Sequence, residues 1–160
     1  LKLSALNLLN TLFPNWDHPF IQEFITKYKT NPLVIMKYFS LVWSNECEEV
    51  VTNIQEIEQQ PYYKESLPNH AKALFGSFTR NLAYFHKKDG SWYNLLTEFI
   101  LKIDNINPHT AARMAWAFKI FPKLSLESQE IMRPFLQKIQ SHKGLSKNTE
   151  EIIGKILSAL

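Results

Sequence analysis

Apolar residues recur every three or four positions along almost the whole chain, which is the spacing of one face of an α-helix. The third such stretch shows the pattern well, because its apolar stripe runs through Leu33, Met36, Phe39 and Trp43. No segment keeps up a strict alternation of apolar and polar residues. The pattern therefore predicts helices throughout and no β-sheet.

Capping and turn residues divide this pattern into nine predicted helices. In chain order they cover residues 3–13, 17–28, 31–43, 46–59, 71–78, 92–103, 107–121, 124–140 and 146–160. Asp17 is the predicted N-cap of the second helix, and Asn-Pro pairs open the third and the seventh. Residues 81–91 are predicted to form a loop around the Asp89-Gly90 turn, and Gly144 to end the eighth helix.

Short connections between so many helices favour an all-α fold in which antiparallel helix pairs stack into a HEAT/armadillo-like α-superhelix. Residues 1–160 are predicted to form a single helical domain, because no stretch has the composition of a linker. Five aromatic residues are assigned to its core: Trp43, Phe75, Phe78, Trp92 and Trp116. His86, beside the Asp89-Gly90 turn, is predicted to be a structural hydrogen-bonding residue.

Composition narrows the classes of function. The net charge is +3, and the 18 Lys and Arg residues are interspersed with 15 acidic ones. This balance favours a solvated surface over the dense basic stripe of a nucleic-acid binder. No apolar run approaches the roughly 18 residues of a membrane span, so we expect neither nucleic acid nor a membrane as partner. The single cysteine, Cys47, excludes an intrachain disulfide and fits a reducing, cytoplasmic compartment.

The chain lacks the motifs that mark common hydrolase sites. It contains no His-Glu-x-x-His, no Gly-x-Ser-x-Gly and no glycine-rich phosphate loop. Cys47 has no second cysteine with which to bind a metal. We therefore expect no catalytic residues and no metal site in this chain.

Three basic side chains are the candidate site residues. His109 and Arg113 share one face of the predicted seventh helix, and Trp116 and Ile120 continue that face. Arg113 is expected in the first half of the helix, where the helix dipole slightly disfavours a cation. It would then need a partner, either a carboxylate of a neighbouring helix or a bound anion. Lys72, on the predicted fifth helix, is by itself a solvated lysine.

Three runs of sequence resemble a known family. Residues 85–93 (Phe-His-Lys-Lys-Asp-Gly-Ser-Trp-Tyr) are similar to the Phe-His-x-x-Asp-Gly-Ser-Gly-Tyr signature of the bacterial aminopeptidase N family of zinc metallopeptidases. Residues 101–113 resemble that family's Leu-x-Asn/Asp-x-x-Asn-Pro-x-x-Ala-x-Arg, with one more residue between Leu101 and Asp104 than the motif has. Residues 31–39 resemble its Leu-Val-x-x-Lys-Trp-Phe helix. The chain departs from the family at Trp92, Leu82 and Tyr38, where Gly, Pro and Trp are usual.

The resemblance implies a non-catalytic C-terminal helical domain of a zinc-dependent, alanyl-type aminopeptidase. Zinc and the catalytic residues would belong to a catalytic domain of the same polypeptide, which removes N-terminal residues from short peptides. The helical domain would close the active-site chamber, with Lys72, His109 and Arg113 on its inner wall. Cations there suit the C-terminal carboxylate of a peptide.

An alternative is a freestanding helical-repeat scaffold that binds a protein or peptide in its groove. A nucleic-acid-binding helical array is a third possibility, and it predicts binding that weakens steeply with salt. The chain begins at Leu1 without methionine, which favours a fragment of a longer protein. A surface that a missing domain normally covers would then be exposed, so we expect an apolar patch on the first helices.

Overall fold

The computed structural model describes residues 2–12, 18–42, 49–76 and 82–159, and these residues form helices and turns without a β-strand. The predicted all-α fold is therefore confirmed. The helices are α1 (Lys2–Leu12), α2 (Pro19–Tyr28), α3 (Pro32–Val42), α4 (Val50–Glu58), α5 (Pro68–Phe75), α6 (Leu82–Phe85), α7 (Ser91–Asp104), α8 (Pro108–Ala115), α9 (Leu126–Gln140) and α10 (Lys147–Ser158). A 3₁₀ helix, Trp116–Lys123, lies between α8 and α9.

The Asn-Pro pairs open helices as predicted. Oδ1 of Asn31 accepts hydrogen bonds from the N–H groups of Leu33 and Val34, at 3.2 and 3.3 Å. Oδ1 of Asn107 accepts one from the N–H of Thr110 at 3.0 Å. Each asparagine thus satisfies N–H groups that have no partner inside the helix, and the proline beside it has no N–H to satisfy.

Some predicted boundaries differ from the observed ones. Asp17 lies outside the described residues, and the N-cap of α2 in the structure is His18, whose Nδ1 accepts from the N–H of Phe20 at 3.4 Å. The predicted loop 81–91 is wrong over Leu82–Phe85, where the chain makes the short helix α6 and buries the ring of Phe85. The prediction that Gly144 ends the eighth helix is wrong, because α9 ends at Gln140 with Ser141 as its C-cap, and Gly144, with a φ of 88°, lies in the turn before α10.

Contacts divide the chain into two compact units, Leu1–Asn81 and Leu82–Leu160, and each is described by itself. In the first, α3 contacts α1, α2, α4 and α5. The ring of Phe39 is fully buried there and lies 5.3 to 6.2 Å from the rings of Tyr62, Tyr63 and His70. The single domain over residues 1–160 stays a prediction.

In the second unit, α7 contacts α8 and α9, and α10 contacts α8, α9 and the 3₁₀ helix. Three buried aromatic rings, those of Phe85, Tyr93 and Phe118, lie 5.2 to 6.2 Å from one another at its centre. Each such side chain stabilises the fold by about 2–3 kcal/mol through burial.

The core assignments made from sequence are confirmed for two of the five aromatic residues. Phe75 and Trp92 are buried, whereas 48% of Trp116 is exposed. The prediction that Trp116 belongs to the core is wrong. Its side chain lies on the same face as His109 and Arg113, and that face is exposed to solvent. Trp43, Phe78 and the lone cysteine, Cys47, lie outside the described residues.

Large apolar side chains are exposed on the first three helices, where an apolar patch was predicted, and also elsewhere in the described residues, as at Leu126. Leu8 and Leu12 of α1 are each 61% exposed, Phe20 of α2 is 62% exposed and Leu33 of α3 is 72% exposed. An apolar groove with a volume of about 280 Å³ runs between α1 and α2.

The turn before α7 depends on a glycine. Gly90 has a φ of 67°, a left-handed conformation that favours glycine, and a Cβ there would lie 3.0 Å from Cε2 of Phe135. Oδ1 of Asp89 accepts from the N–H and the hydroxyl of Ser91, at 2.9 and 2.8 Å. These hydrogen bonds lower the pKa of Asp89.

The predicted structural role of His86 is confirmed by its contact with α7. Its Nδ1 lies 2.6 Å from the hydroxyl oxygen of Tyr93. Burial lowers the pKa of His86 and raises the pKa of Tyr93 to about 12. The protonated imidazole is therefore disfavoured in the folded chain, while the Tyr93 hydroxyl keeps its proton.

His86→Gln should flatten the pH dependence of stability below neutrality. An unfolded histidine binds a proton near pH 6.5, whereas burial disfavours that proton on His86 in the folded state. The contribution of His86 to the free energy of unfolding is thus fully present above about pH 6.5. It decreases as the pH falls from there towards the lower pKa of His86 in the folded chain. Urea unfolding at pH 7 and pH 5 measures the loss.

His142→Gln, at an exposed histidine after α9, is the control. Its free energy of unfolding should change between pH 7 and pH 5 as much as that of the unsubstituted chain. His70, whose pKa burial also lowers, contributes equally in both variants. Identical slopes for the two variants would show that His86 is not linked to folding.

Candidate functional site

The helix α8 positions two of the three predicted site residues on its outer face. Its buried face consists of small or flexible side chains: Thr110, Ala111, Ala112, Met114 and Ala115. These pack against α7 and α10, the main neighbours of α8. His109 and Arg113 lie on the opposite side and are exposed, so the structure brings them together on one surface as predicted.

The position of Arg113 in its helix differs from the predicted one. The α-helix ends at Ala115, so Arg113 lies in the last turn of α8 instead of the first half of a longer helix. The chain continues from Ala115 into the 3₁₀ helix Trp116–Lys123, which contains Pro122. In the last turn the helix dipole favours a cation.

Within the part of the chain that the structure describes, the guanidinium of Arg113 has no carboxylate partner. The predicted ion pair with a neighbouring helix is therefore not found among those residues. The ion pairs among the described residues are formed by exposed lysines. They join Lys88 to Glu127, Lys138 to Glu98 and Lys155 to Glu151. Arg113 presents its donors to solvent.

His109 contacts the start of α10. Its Nδ1 lies 3.4 Å from the side-chain amide nitrogen of Asn148, a long hydrogen bond at the exposed edge of the two helices. Such a contact orients the imidazole without removing it from solvent. His109 and Asn148 thus join the outer faces of α8 and α10.

The exposed surface continues into the 3₁₀ helix. The ammonium of Lys119 lies 5.8 Å from the centre of the Trp116 ring, within the range of a cation–π interaction. We call the four residues His109, Arg113, Trp116 and Lys119 the basic face. Lys119 was not among the predicted residues of this face, although its spacing of three residues from Trp116 could have indicated it. Ile120, which was predicted to continue the face, is half-buried.

Lys72 is far from the residues of the basic face in the sequence. It is an exposed residue in the last turn of α5, whose buried face consists of His70, Ala71, Leu74 and Phe75. It belongs to the unit Leu1–Asn81, whereas His109 and Arg113 belong to the unit Leu82–Leu160. No carboxylate among the described residues pairs with its ammonium.

A buried acid holds α10 in place beside α8. Asp104, at the end of α7, is only 2% exposed, and its carboxyl group accepts three hydrogen bonds from the start of α10. The donors are the N–H of Ser146 at 2.6 Å, its hydroxyl at 2.7 Å and the hydroxyl of Thr149 at 2.5 Å. Asp104 lies within the run 101–113 that resembles the family, but its position in the sequence indicates no role.

The described residues offer no site for a zinc ion, which the resemblance assigns to a separate catalytic domain. Among them, no three His, Cys, Asp or Glu side chains are grouped so that they could hold a metal ion. A structural or catalytic zinc needs three or four such ligands. In the same part of the chain, no helix has both the length and the apolar character needed to cross a membrane.

The described residues thus form a helical fold in which α8 and the 3₁₀ helix carry the exposed basic face. The family model described as "Domain of unknown function (DUF3458_C) ARM repeats" matches residues 1–158. The chain belongs to this family, and the ARM-repeat description agrees with the predicted superhelix of helix pairs.

Three curated relatives are aminopeptidases. Aminopeptidase N of Caulobacter vibrioides is 32% identical over 138 residues, which are 86% of this chain and 16% of that protein. Aminopeptidase N of Haemophilus influenzae and that of Escherichia coli are each 30% identical and also cover 86% of this chain. The chain therefore spans about 16% of the length of these curated relatives.

A solved structure shows the same fold. Aminopeptidase A of Legionella pneumophila, solved in complex with aspartic acid, matches with a TM-score of 0.90 at 25% identity. The match covers 99% of this chain and 18% of the Legionella chain. The chain thus corresponds to the C-terminal helical domain of aminopeptidase N-like proteins.

Proposed function

We propose that this chain is the non-catalytic wall of a peptide chamber in a longer, cytoplasmic aminopeptidase that removes N-terminal residues from short peptides. In this proposal the chain closes the chamber and its basic residues bind the carboxyl end of the substrate. The observation that carries the proposal is the exposed guanidinium of Arg113, which has no carboxylate partner among the described residues.

Arginine is the side chain best suited to this role. Its planar guanidinium donates two parallel hydrogen bonds to a carboxylate, and such charge-assisted pairs are stronger than neutral ones. His109 lies on the same face, and Lys119 adds a second permanent cation. A peptide carboxylate that approached α8 would therefore meet a positive surface.

Lys72 is the third proposed lining residue, and its exposed ammonium would add to the positive potential of the chamber. The zinc and the reacting groups of an alanyl-type aminopeptidase would be held by the catalytic domain of the same polypeptide. The role of this chain is to bind and orient the substrate, so alone it should have no peptidase activity.

Arg113→Ala in the full-length protein should raise KM for a tripeptide about tenfold and leave kcat nearly unchanged. The loss of one charge-assisted contact that is equal in the ground and transition states weakens binding without slowing the chemical step. Steady-state kinetics with the tripeptide, its C-terminal amide and an aminoacyl-anilide measure the effect. The amide and the anilide lack the carboxylate, so their KM should not change.

Lys143→Ala, at an exposed lysine in the turn after α9, is the matched control and should leave all three KM values unchanged. An equal rise in KM for the tripeptide and its amide would mean that Arg113 does not bind the carboxylate.

A further inference from the structure

A polar cavity lies within the unit Leu1–Asn81 and has no role in the proposed function. It has a volume of about 270 Å³ and lies between α2, α3, α4 and the segment after α4. Pockets for drug-sized ligands have volumes of about 300–1,000 Å³, so this cavity suits a smaller molecule. Its lining residues are Gln22, Ile25, Thr26, Lys29, Tyr38, Asn53, Glu56, Ile57, Gln60, Pro61 and Tyr62.

The cavity has one positive and one negative side chain. Lys29 follows the end of α2, and Glu56 lies on α4. Both are exposed, and neither forms an ion pair with any residue that the structure describes. Opposite charges that line the same cavity without pairing leave a site for a ligand that carries both signs of charge.

Hydroxyl groups lie beside the negative side of the cavity. Tyr38 is only 4% exposed, and its hydroxyl is hydrogen-bonded to that of Tyr62. Burial, Tyr62 and the nearby charge of Glu56 all raise the pKa of Tyr38, so its hydroxyl keeps its proton. The Tyr38–Tyr62 pair therefore offers neutral hydrogen-bonding groups next to Glu56.

Part of the wall is apolar. Ile25 and Ile57 are 8% and 3% exposed, and Pro61 lies in the segment that follows α4. Apolar walls with a few polar groups are typical of small-molecule sites, because burial gives affinity and the polar groups give orientation. A ligand with a short apolar side chain would satisfy both kinds of lining.

We propose that this cavity binds a free amino acid as its zwitterion. The ammonium group binds Glu56, the carboxylate binds Lys29, and the apolar side chain packs against Ile25 and Ile57. The inference does not depend on the proposed role of the basic face. A free amino acid is also what an aminopeptidase releases, so the cavity would bind a product at a site on α2–α4.

The test is calorimetric titration of the 160-residue chain with L-leucine, 3-methylbutylamine and 4-methylpentanoate. The second compound is leucine without its carboxylate, and the third is leucine without its amine. We expect leucine to bind and each analogue to bind at least tenfold more weakly. Absence of leucine binding, or equal binding of leucine and one analogue, would overturn the proposal.

Two substitutions assign the charges. Lys29→Gln and Glu56→Gln should each weaken leucine binding at least tenfold, because each removes one of the two opposite charges. Lys37→Gln on α3 and Glu23→Gln on α2 alter exposed residues outside the cavity and should leave the affinity unchanged. Leucine binding that survives both Lys29→Gln and Glu56→Gln would refute the site. Circular dichroism confirms that each variant is folded.

Discussion

Asp104→Ala is expected to lower the free energy of unfolding by about 3–4 kcal/mol. The substitution leaves the N–H and hydroxyl of Ser146 and the hydroxyl of Thr149 without their acceptor, and Thr149 and Asp104 are buried. A buried donor that loses its acceptor costs about 1–3 kcal/mol, and water can reach only part of this site. Urea unfolding followed by circular dichroism measures the change.

Asp89→Ala is the matched control for Asp104→Ala. Asp89 also accepts hydrogen bonds from a backbone N–H and a hydroxyl, both of Ser91, but it is exposed. Because water replaces its contacts, Asp89→Ala should cost about 1 kcal/mol or less. If the two variants are equally stable, the bonds of Asp104 do not hold α10 against α7.

Asp104 also bears on the proposed site. The helix α8 packs between α7 and α10, and His109 contacts Asn148 on α10. The hydrogen bonds of Asp104 fix the start of α10 beside the end of α7. The orientation of the basic face therefore depends on an acid that lies outside it.

Local signals explain why much of the fold was predictable. Asn31 and Asn107 act through N–H groups two or three residues away, so their sequence neighbours are sufficient to locate a helix start. The same holds for Gly90, whose left-handed backbone follows from the Asp89-Gly90 dipeptide. The helix α6 was missed because four residues are too few to show helical periodicity.

The candidate site was predictable only in part. A spacing of four residues was enough to place His109 and Arg113 on one face of α8. Periodicity does not say which face is buried, so the exposure of Trp116 was missed. The roles of Asp104 and of the cavity beside Tyr38 depend on residues far apart in sequence, which no local pattern brings together.

Trp92→Ala is expected to lower the free energy of unfolding by about 3–5 kcal/mol, and Trp116→Ala by no more than about 1 kcal/mol. Trp92 is 2% exposed in α7, whereas Trp116 is 48% exposed. Removal of a buried indole loses its transfer free energy and leaves a cavity in a closely packed core.

The comparison is well matched, because both tryptophans belong to the unit Leu82–Leu160 and each has an aromatic or cationic neighbour. The ring of Trp92 lies 5.9 Å from that of Tyr84, and Lys119 lies over the ring of Trp116. Urea unfolding of the two variants at the same pH gives the two costs. A cost for Trp116→Ala as large as that for Trp92→Ala would place Trp116 in the core, and the basic face would then have no exposed aromatic ring.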